Sequence, residues 1–501
     1  MTSVAYRRRL PEIGKAAFGG FILLQCLAAA VLLLLGLNVK VALLAVVGTT
    51  VGLIWLALLP LYPWLSVPLL IASTSLDITG RLVQETPLGI PVTGFHIAFL
   101  LMIASLGANA ALRRRIHFPK FELFGPLALF LFLIALSLTW SPNQPEATIS
   151  FVRMLMLAAF LYLTQVMIET RAAVTCVVVS VAVCVGAASI LGVVQMLTEE
   201  FYLPASFVIA VGANTPRAAG TFHNPNSLGT FLMAGSLFLA AVLLNYRMAR
   251  TFRLLLTISI GIGIMGLLAT FSRANWVAMA AGGVFLLWVS GKLRIRYILT
   301  ALAGLVVTLL ALQSVLPVAE YVLTRLFSIF ALLTQFGETA YVSSSARVHF
   351  VVAGLGMWRD HPLLGAGWRA FPVILDPYKP EGFPHWIPTR ECHTLFATIV
   401  AELGLLGLLA TCWIAWRVIR HAYRGVRNME DDYLRAVLIG LLSLFIGFQV
   451  SLCFTNDFTN NFLWFFMGMT FAVTSIYRRQ RLANAPSRPT VTGDVTSPEP
   501  R

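Results

Sequence analysis

The chain is predicted to be an all-α polytopic membrane protein with 12–14 transmembrane helices, both termini cytoplasmic, and one long periplasmic loop containing an amphipathic helix. Three observations predict this. Of 501 residues, 58% are hydrophobic and 11% charged, whereas a soluble domain carries about 25% charged residues. Apolar runs near the roughly 20 residues needed to cross a bilayer recur along the chain. The net charge of +15 sits in short basic clusters between those runs, with no basic face interleaved with aromatics. It therefore reports orientation in a membrane and argues against a nucleic-acid partner.

Taken in order, Arg7, Arg8 and Arg9 precede a run over 17–37 that is long enough to span and lacks a small-x-small cleavage site. It is read as the first anchor rather than a signal peptide. Further runs lie near 41–60, 95–111, 122–139, 150–168, 172–196, 225–245, 252–270, 274–290, 297–317, 393–418, 433–453 and 459–477, with a shorter, Pro-interrupted run at 61–76. With the N-terminus inside, the clusters Arg113–Arg115, Arg247/Arg250/Arg253, Lys292/Arg294/Arg296, Arg417 to Arg435 and Arg478–Arg479 all fall on the cytoplasmic side. The loops Ser141–Thr148 and Thr455–Asn460, which lack Lys and Arg, fall outside. Merging 41–76 into one span would invert every later loop.

The predicted organisation is a cytoplasmic N-terminus (1–16), a first bundle section (17–317), a periplasmic loop (318–392), three last spans (393–477) and a disordered cytoplasmic tail (478–501) rich in Pro, Ser and Thr. Of six cysteines, Cys26, Cys176, Cys184, Cys412 and Cys453 lie in or at the ends of spans and Cys392 in the loop. No disulfide framework follows, and Cys392 with Cys453 is the one pair assigned to a shared outer compartment.

Three inward-running spans begin with polar or basic residues on the outer side: those after Pro225, at Arg273 and at His393. A helix N-terminus carries unpaired N–H groups and about half a positive charge, so three such ends beside arginines make an anion site. In Arg217-Ala-Ala-Gly-Thr-Phe-His-Asn-Pro-Asn-Ser, Asn224 suits the cap and Pro225 the first helical position. Arg273, with Ser272 as a candidate cap, sits on the side that the positive-inside bias depletes of arginine. Snorkelling to headgroups would also explain it.

At 100° per residue, Ala397, Val400, Gly404 and Gly407 lie within roughly 40° of His393, a small-residue stripe that admits a second helix. Glu402 points to the opposite face and is expected to pair with another helix. Within the loop, Ser343–Arg347 reads as a helix start with Val348, Val351, Val352, Leu355 and Trp358 as its apolar stripe, suited to lying on the outer leaflet. Arg347 and Arg359 either anchor that helix or line the site. No GxxxxGK loop, HExxH, close His pair or Asp-x-Asp is present, so neither a nucleotide, a metal nor another cofactor is expected.

Gly220-Thr-Phe-His-Asn-Pro-Asn226, Ser272-Arg273, Arg347 followed by His361-Pro-Leu-Leu-Gly-Ala-Gly367, and His393-Thr-x9-Gly404-x-x-Gly407 together resemble the O-antigen ligase family of polytopic bacterial enzymes. That family includes O-antigen ligases, O-antigen polymerases and protein O-oligosaccharyltransferases. The first 200 residues match only in hydropathy. Thr394 departs from the Asn, Ser or Gln that usually follows the histidine, and the family tends toward about twelve spans.

The resemblance implies transfer of a glycan from an undecaprenyl diphosphate carrier to an acceptor sugar hydroxyl at the periplasmic face of the inner membrane, without metal or nucleotide. Arg273 and Arg217 would bind the diphosphate with Arg347 as a third contact. His393 would be the general base, and Asn224, Asn226, Arg359, Thr394 and Glu402 would support the site. Lipid A-core, another carrier-linked glycan or a protein hydroxyl are the candidate acceptors, the first being favoured. A lipid-linked glycan flippase, and a metal-dependent lipid-phosphosugar transferase using Asp77 and Glu85, are the readings from other classes.

Overall fold

A computed structural model describes residues 52, 54–75, 93–113, 118–201, 210–211, 215–222, 224–294, 342–381, 383, 392 and 394–483, with isolated positions at 296, 299, 303, 322 and 323. The run at 17–37, all of 297–317 but 299 and 303, most of 41–60, and residues 484–501 lie outside the described residues.

The helices are α1 (Ser66–Ser75), α2 (Gly94–Arg113), α3 (Phe124–Ser137), α4 (Gln144–Met167), α5 (Arg171–Thr198), α6 (Pro225–Asn245), α7 (Arg250–Ala269), α8 (Arg273–Val289), α9 (Val342–Asp360), α10 (Phe371–Ile374), α11 (Leu395–Asn428), α12 (Asp432–Leu452) and α13 (Asn461–Ala483). A two-residue antiparallel ladder pairs Ala210–Val211 with Thr215–Pro216. The protein is all-α, and seven of the described helices are long and apolar enough to cross a membrane.

The described residues fall into two compact units, one drawn from Met1–Ser66 and Leu100–Ile116 and one from Val67–Phe99 and His117–Arg501. In the smaller, Ser105 Oγ donates to Leu59 O at 2.7 Å and Asn109 Nδ2 to Pro60 O at 2.7 Å. These bonds satisfy carbonyls left open where Pro60 and Pro63 interrupt the chain. The same prolines explain why the 61–76 run is a 3₁₀ turn followed by the ten-residue α1, about half the length a crossing requires.

In the larger unit α6 is the central helix, and small buried residues such as Gly229, Gly235 and Ser236 let its neighbours approach closely. Phe231, Leu232, Phe238 and Leu239 are at most 1% exposed, against α12, whose residues Val437 to Leu442 are likewise buried. Helix ends are tied at two levels. At one, Glu122 binds His421 Nδ1 (2.9 Å) and Arg478 Nη1 (3.1 Å), Arg171 pairs with Asp431 (2.7 Å), and Arg479 pairs with Glu169 (3.6 Å). At the other, Arg369 pairs with Glu146 (3.2 Å), and Ser141 Oγ and Ser150 Oγ bind Trp368 (2.7 and 2.9 Å). The first level carries basic clusters expected to be cytoplasmic, and the second carries loops expected outside.

Two boundaries differ from expectation. Helix α13 continues through Arg478 to Ala483, because Arg478 is held by Glu122, so the start of the presumed tail is helical. Helix α11 runs to Asn428, ten residues beyond the expected 418, with Arg417 Nη2 on Glu122 O (2.8 Å) just before the extension and His421 Nε2 on Thr474 Oγ1 (2.7 Å) within it. Cys176, Cys184, Cys392, Cys412 and Cys453 are free thiols, so the Cys392–Cys453 pairing is absent.

Candidate active site

The segment before α6 is clamped from two sides. Buried Gln195 of α5 accepts from Gly220 N (2.7 Å) and Ala219 N (3.2 Å) and donates to Gly220 O (2.8 Å), while Ala218 N donates to Ala269 O (3.0 Å). Gly220 has φ +57, and a Cβ there would lie 3.0 Å from Ala188 O, so the turn requires glycine. It delivers Asn224 in extended geometry, whose side chain caps α6 by accepting from Ser227 N at 2.9 Å, with Pro225 opening the helix.

Two residues on, Asn226 Oδ1 accepts from Arg217 Nη2 (3.0 Å) and from Ser272 Oγ (3.0 Å). Arg217 Nε also donates to Thr270 O (2.8 Å). The motif before α6 and the α7–α8 turn are therefore joined through one amide oxygen and one guanidinium. The turn is tight: Phe271 is left-handed (φ 50) and 2% exposed, a conformation that a bulky residue keeps only where its surroundings enforce it. Arg273 follows as the first residue of α8, only 9% exposed. Ser272 occupies the cap position but makes no cap bond, because its hydroxyl goes to Asn226. The expectation of a capping serine is corrected on that point.

Beneath lies a group of residues that sequence reading left unassigned. Asn275, 0% exposed, donates from Nδ2 to Asn226 O (2.9 Å) and Ser272 Oγ (3.0 Å), and accepts on Oδ1 from Thr230 (3.1 Å) and Ser451 (3.0 Å). All four bonding positions of the amide are filled, locking α6, α8 and α12 together below Arg273. A polar residue within an apolar helix was the available signal.

Helix α11 opens at Thr394, half-buried in the cap position with φ −137. His393 lies outside the described residues, as does His223. The neighbouring Cys392 is 0% exposed, and burial pushes its thiol up to about 11.

The helix is not continuous through the small-residue stripe: Gly404 has φ 64 and ψ −160 and breaks it. The 362–367 segment crosses at the break and satisfies the freed groups. Leu405 N and Leu406 N donate to Pro362 O (2.9 Å) and Leu363 O (3.2 Å), while Ala366 N and Gly367 N donate to Ala401 O (2.9 Å) and Glu402 O (3.0 Å). A second helix was expected over this stripe, and at Gly404 a loop lies there instead. Any side chain at Gly404 would fall on the Leu363 carbonyl, and one at Gly365 on the Glu402 carbonyl. Glu402, 3% exposed, is corrected likewise. Its carboxylate accepts from Arg369 N (2.9 Å) and Phe371 N (3.3 Å) of the crossing chain.

Helix α9 packs on the first half of α11 through Phe350, Ala353 and Met357, which share a core with Phe371, Cys392, Ala397 and Ala401. The expected stripe is largely on the other side: Val348, Val352 and Leu355 are about half exposed, at 48, 47 and 46%. The helix is thus apolar on two faces. Arg347 is half-buried near its start, with its pKa lowered by desolvation and no ion pair among the described residues. Arg359 is exposed in its last turn, and no bond among the described residues joins it to the Arg217–Asn226–Ser272 cluster.

A family model described as O-antigen ligase matches residues 258–412. The match takes in Ser272 and Arg273, Arg347, the 362–367 crossing and the break at Gly404, and begins after α6 and the segment that precedes it. No curated protein matches the chain.

Proposed function

We propose that this chain, whose residues 258–412 match the O-antigen ligase family, is a membrane glycosyltransferase that moves a glycan from an undecaprenyl diphosphate carrier to an acceptor sugar hydroxyl, most simply the lipid A-core of a bacterial inner membrane. The observation that carries the reading is the bond shared at Asn226, which ties Arg217 to the helix start bearing Arg273. Guanidinium groups keep their charge and meet phosphate oxygens in pairs. Two of them beside an uncapped helix N-terminus suit a diphosphate leaving group. Arg347, desolvated and without an acid partner among the described residues, is suited to a third contact.

In this mechanism His393 takes the proton from the acceptor hydroxyl, since imidazole changes charge near neutral pH. The oxygen attacks the anomeric carbon from the side opposite the diphosphate. The bond from that carbon to the phosphate oxygen breaks, its electron pair stays on the diphosphate, and configuration inverts. The arginines stabilise the charge that develops there. Asn224, Asn226 and Asn275 hold the helix starts in place, and Glu402 supports the crossing chain rather than the chemistry. The acceptor separates ligase from polymerase.

The test is reconstitution in liposomes with a lipid-diphosphate glycan and separate acceptors, lipid A-core or a second carrier-linked glycan, in EDTA. Inverted product on lipid A-core without metal supports the ligase reading, and product only on the carrier-linked glycan replaces it with the polymerase. A requirement for divalent metal overturns both. Arg273→Lys stays strongly impaired, because a point charge does not replace a planar fork.

A further inference from the structure

At the end of the bundle away from Arg273, where α6 ends at Asn245 and α7 starts after Ala249, the structure holds a cavity of about 430 Å³. It is lined by Arg171, Thr175, Tyr246, Arg247, Met248, Ala249, Phe252 and Tyr433. One wall is built and neutral. Arg171 Nη1 pairs with Asp431 at 2.7 Å, its guanidinium lies 4.8 Å over the Tyr433 ring, and the Tyr433 hydroxyl shares a 3.0 Å bond with Thr175 Oγ1.

The other wall is cationic. Arg247 is exposed and makes no ion pair among the described residues. Helix α7 begins at Arg250, and Ala249 in the cap position supplies no side-chain cap, so the N–H groups of its first turn have no acceptor within the helix. The stretch from Tyr246 to Leu256 contains three arginines and no acid. Beside the cavity, Arg250, Ile258 and Met265 lie within roughly 40° of Leu254 on α7. Leu254, Ile258 and Met265 are 57, 50 and 59% exposed.

We infer that this cavity binds the phosphate ester of an anionic phospholipid, with its acyl chains along the Leu254–Met265 face. An anion answers Arg247 and the uncapped helix start. The aromatic and thioether wall of Tyr246, Met248, Phe252 and Tyr433, continued by an apolar helix face, favours an anion carried on a lipid over a free one.

The experiment uses the full chain in phosphatidylcholine nanodiscs with and without phosphatidylglycerol. Retained phosphatidylglycerol is counted after delipidation, and thermal stability is followed. Arg247→Ala is compared with Arg253→Ala, which removes the same charge outside the cavity. Retention falls about fivefold in Arg247→Ala, the weight of one arginine at an anionic lipid surface, and stays near wild type in Arg253→Ala. Equal losses in the two variants, or no retained phosphatidylglycerol in wild type, overturn the site. Inorganic phosphate raising stability as much as phosphatidylglycerol does overturns its assignment to a lipid.

Discussion

Replacing Gly404 with alanine tests how the candidate site is braced. At φ 64 and ψ −160 the backbone sits in a region open almost only to glycine, which costs a residue with Cβ about 1–3 kcal/mol. That Cβ would also fall on the Leu363 carbonyl and come within 2.7 Å of Gly365 N, so the crossing chain must move. The Leu405–Pro362, Leu406–Leu363, Ala366–Ala401 and Gly367–Glu402 bonds depend on its position. Losing two of them, at roughly 0.5–1.5 kcal/mol each, brings the total to about 2–6 kcal/mol. That is a large share of the 5–15 kcal/mol that typically separates folded from unfolded protein.

Gly283→Ala is the control, because nothing lies within 4 Å of a Cβ there, and an alanine in ordinary helix is neutral or up to about 1 kcal/mol stabilising. Thermal unfolding in detergent, followed by tryptophan fluorescence, reports the region through Trp368, 6% exposed on the crossing chain. A large fall in midpoint for Gly404→Ala alone is expected. A wild-type midpoint would mean that the helix runs unbroken and that the 362–367 segment does not cross it.

Asn275→Ala removes one hydrogen bond each from Asn226 O and the Ser272, Thr230 and Ser451 hydroxyls, which costs about 2–4 kcal/mol, while Ser272 and Thr230 keep their bonds to Asn226. It also loosens the Arg273 helix start, so transfer activity falls with stability. Asn226→Ala, which removes the bond from Arg217 Nη2 while Arg217 Nε still holds Thr270 O, reduces turnover at saturating acceptor, measured in liposomes, by about tenfold for one lost hydrogen bond to a charged group. At the other end of the bundle, hydrogen bonding from His421 first and the charges of His421 and Arg478 next hold the Glu122 carboxyl down to about 2, from an ordinary 4.5. A depressed carboxylate adds stability that is full above about 4.5 and disappears as pH falls toward about 2. Glu122→Gln removes that slope from an acid-unfolding series. Glu122 is partly exposed, so solvent screening keeps the effect to about 1 kcal/mol.

Hydropathy made most of the helices legible. The run at 225–245 coincides with α6, and those at 252–270, 274–290 and 433–453 fall within two residues of their helices. Apolar length is a local property that tertiary contacts seldom override in a membrane. Asn224 and Pro225 were legible for the same reason, since a cap is chemistry between near neighbours. The break at Gly404 was not. A single residue off the helical path leaves the 3.6 period intact on both sides, so the Ala397–Gly407 stripe reads as continuous whether a helix or a loop lies against it. Asn275 and Gln195 escaped because their partners are 45 and 25 residues distant. Glu402 was recognised as buried and paired, but the Arg369 and Phe371 backbone N–H groups are among its partners, which side-chain pattern does not reveal.

The proposed chemistry rests on an imidazole and a guanidinium acting on one lipid diphosphate. Initial rates of glycan transfer in liposomes, for wild type and His393→Ala matched in thermal stability and carrier binding, address it without intermediaries. No detectable product from His393→Ala, with carrier still bound through the arginines, is the expected result. Transfer by that variant at near wild-type rate would remove the histidine from the reaction and contradict the mechanism.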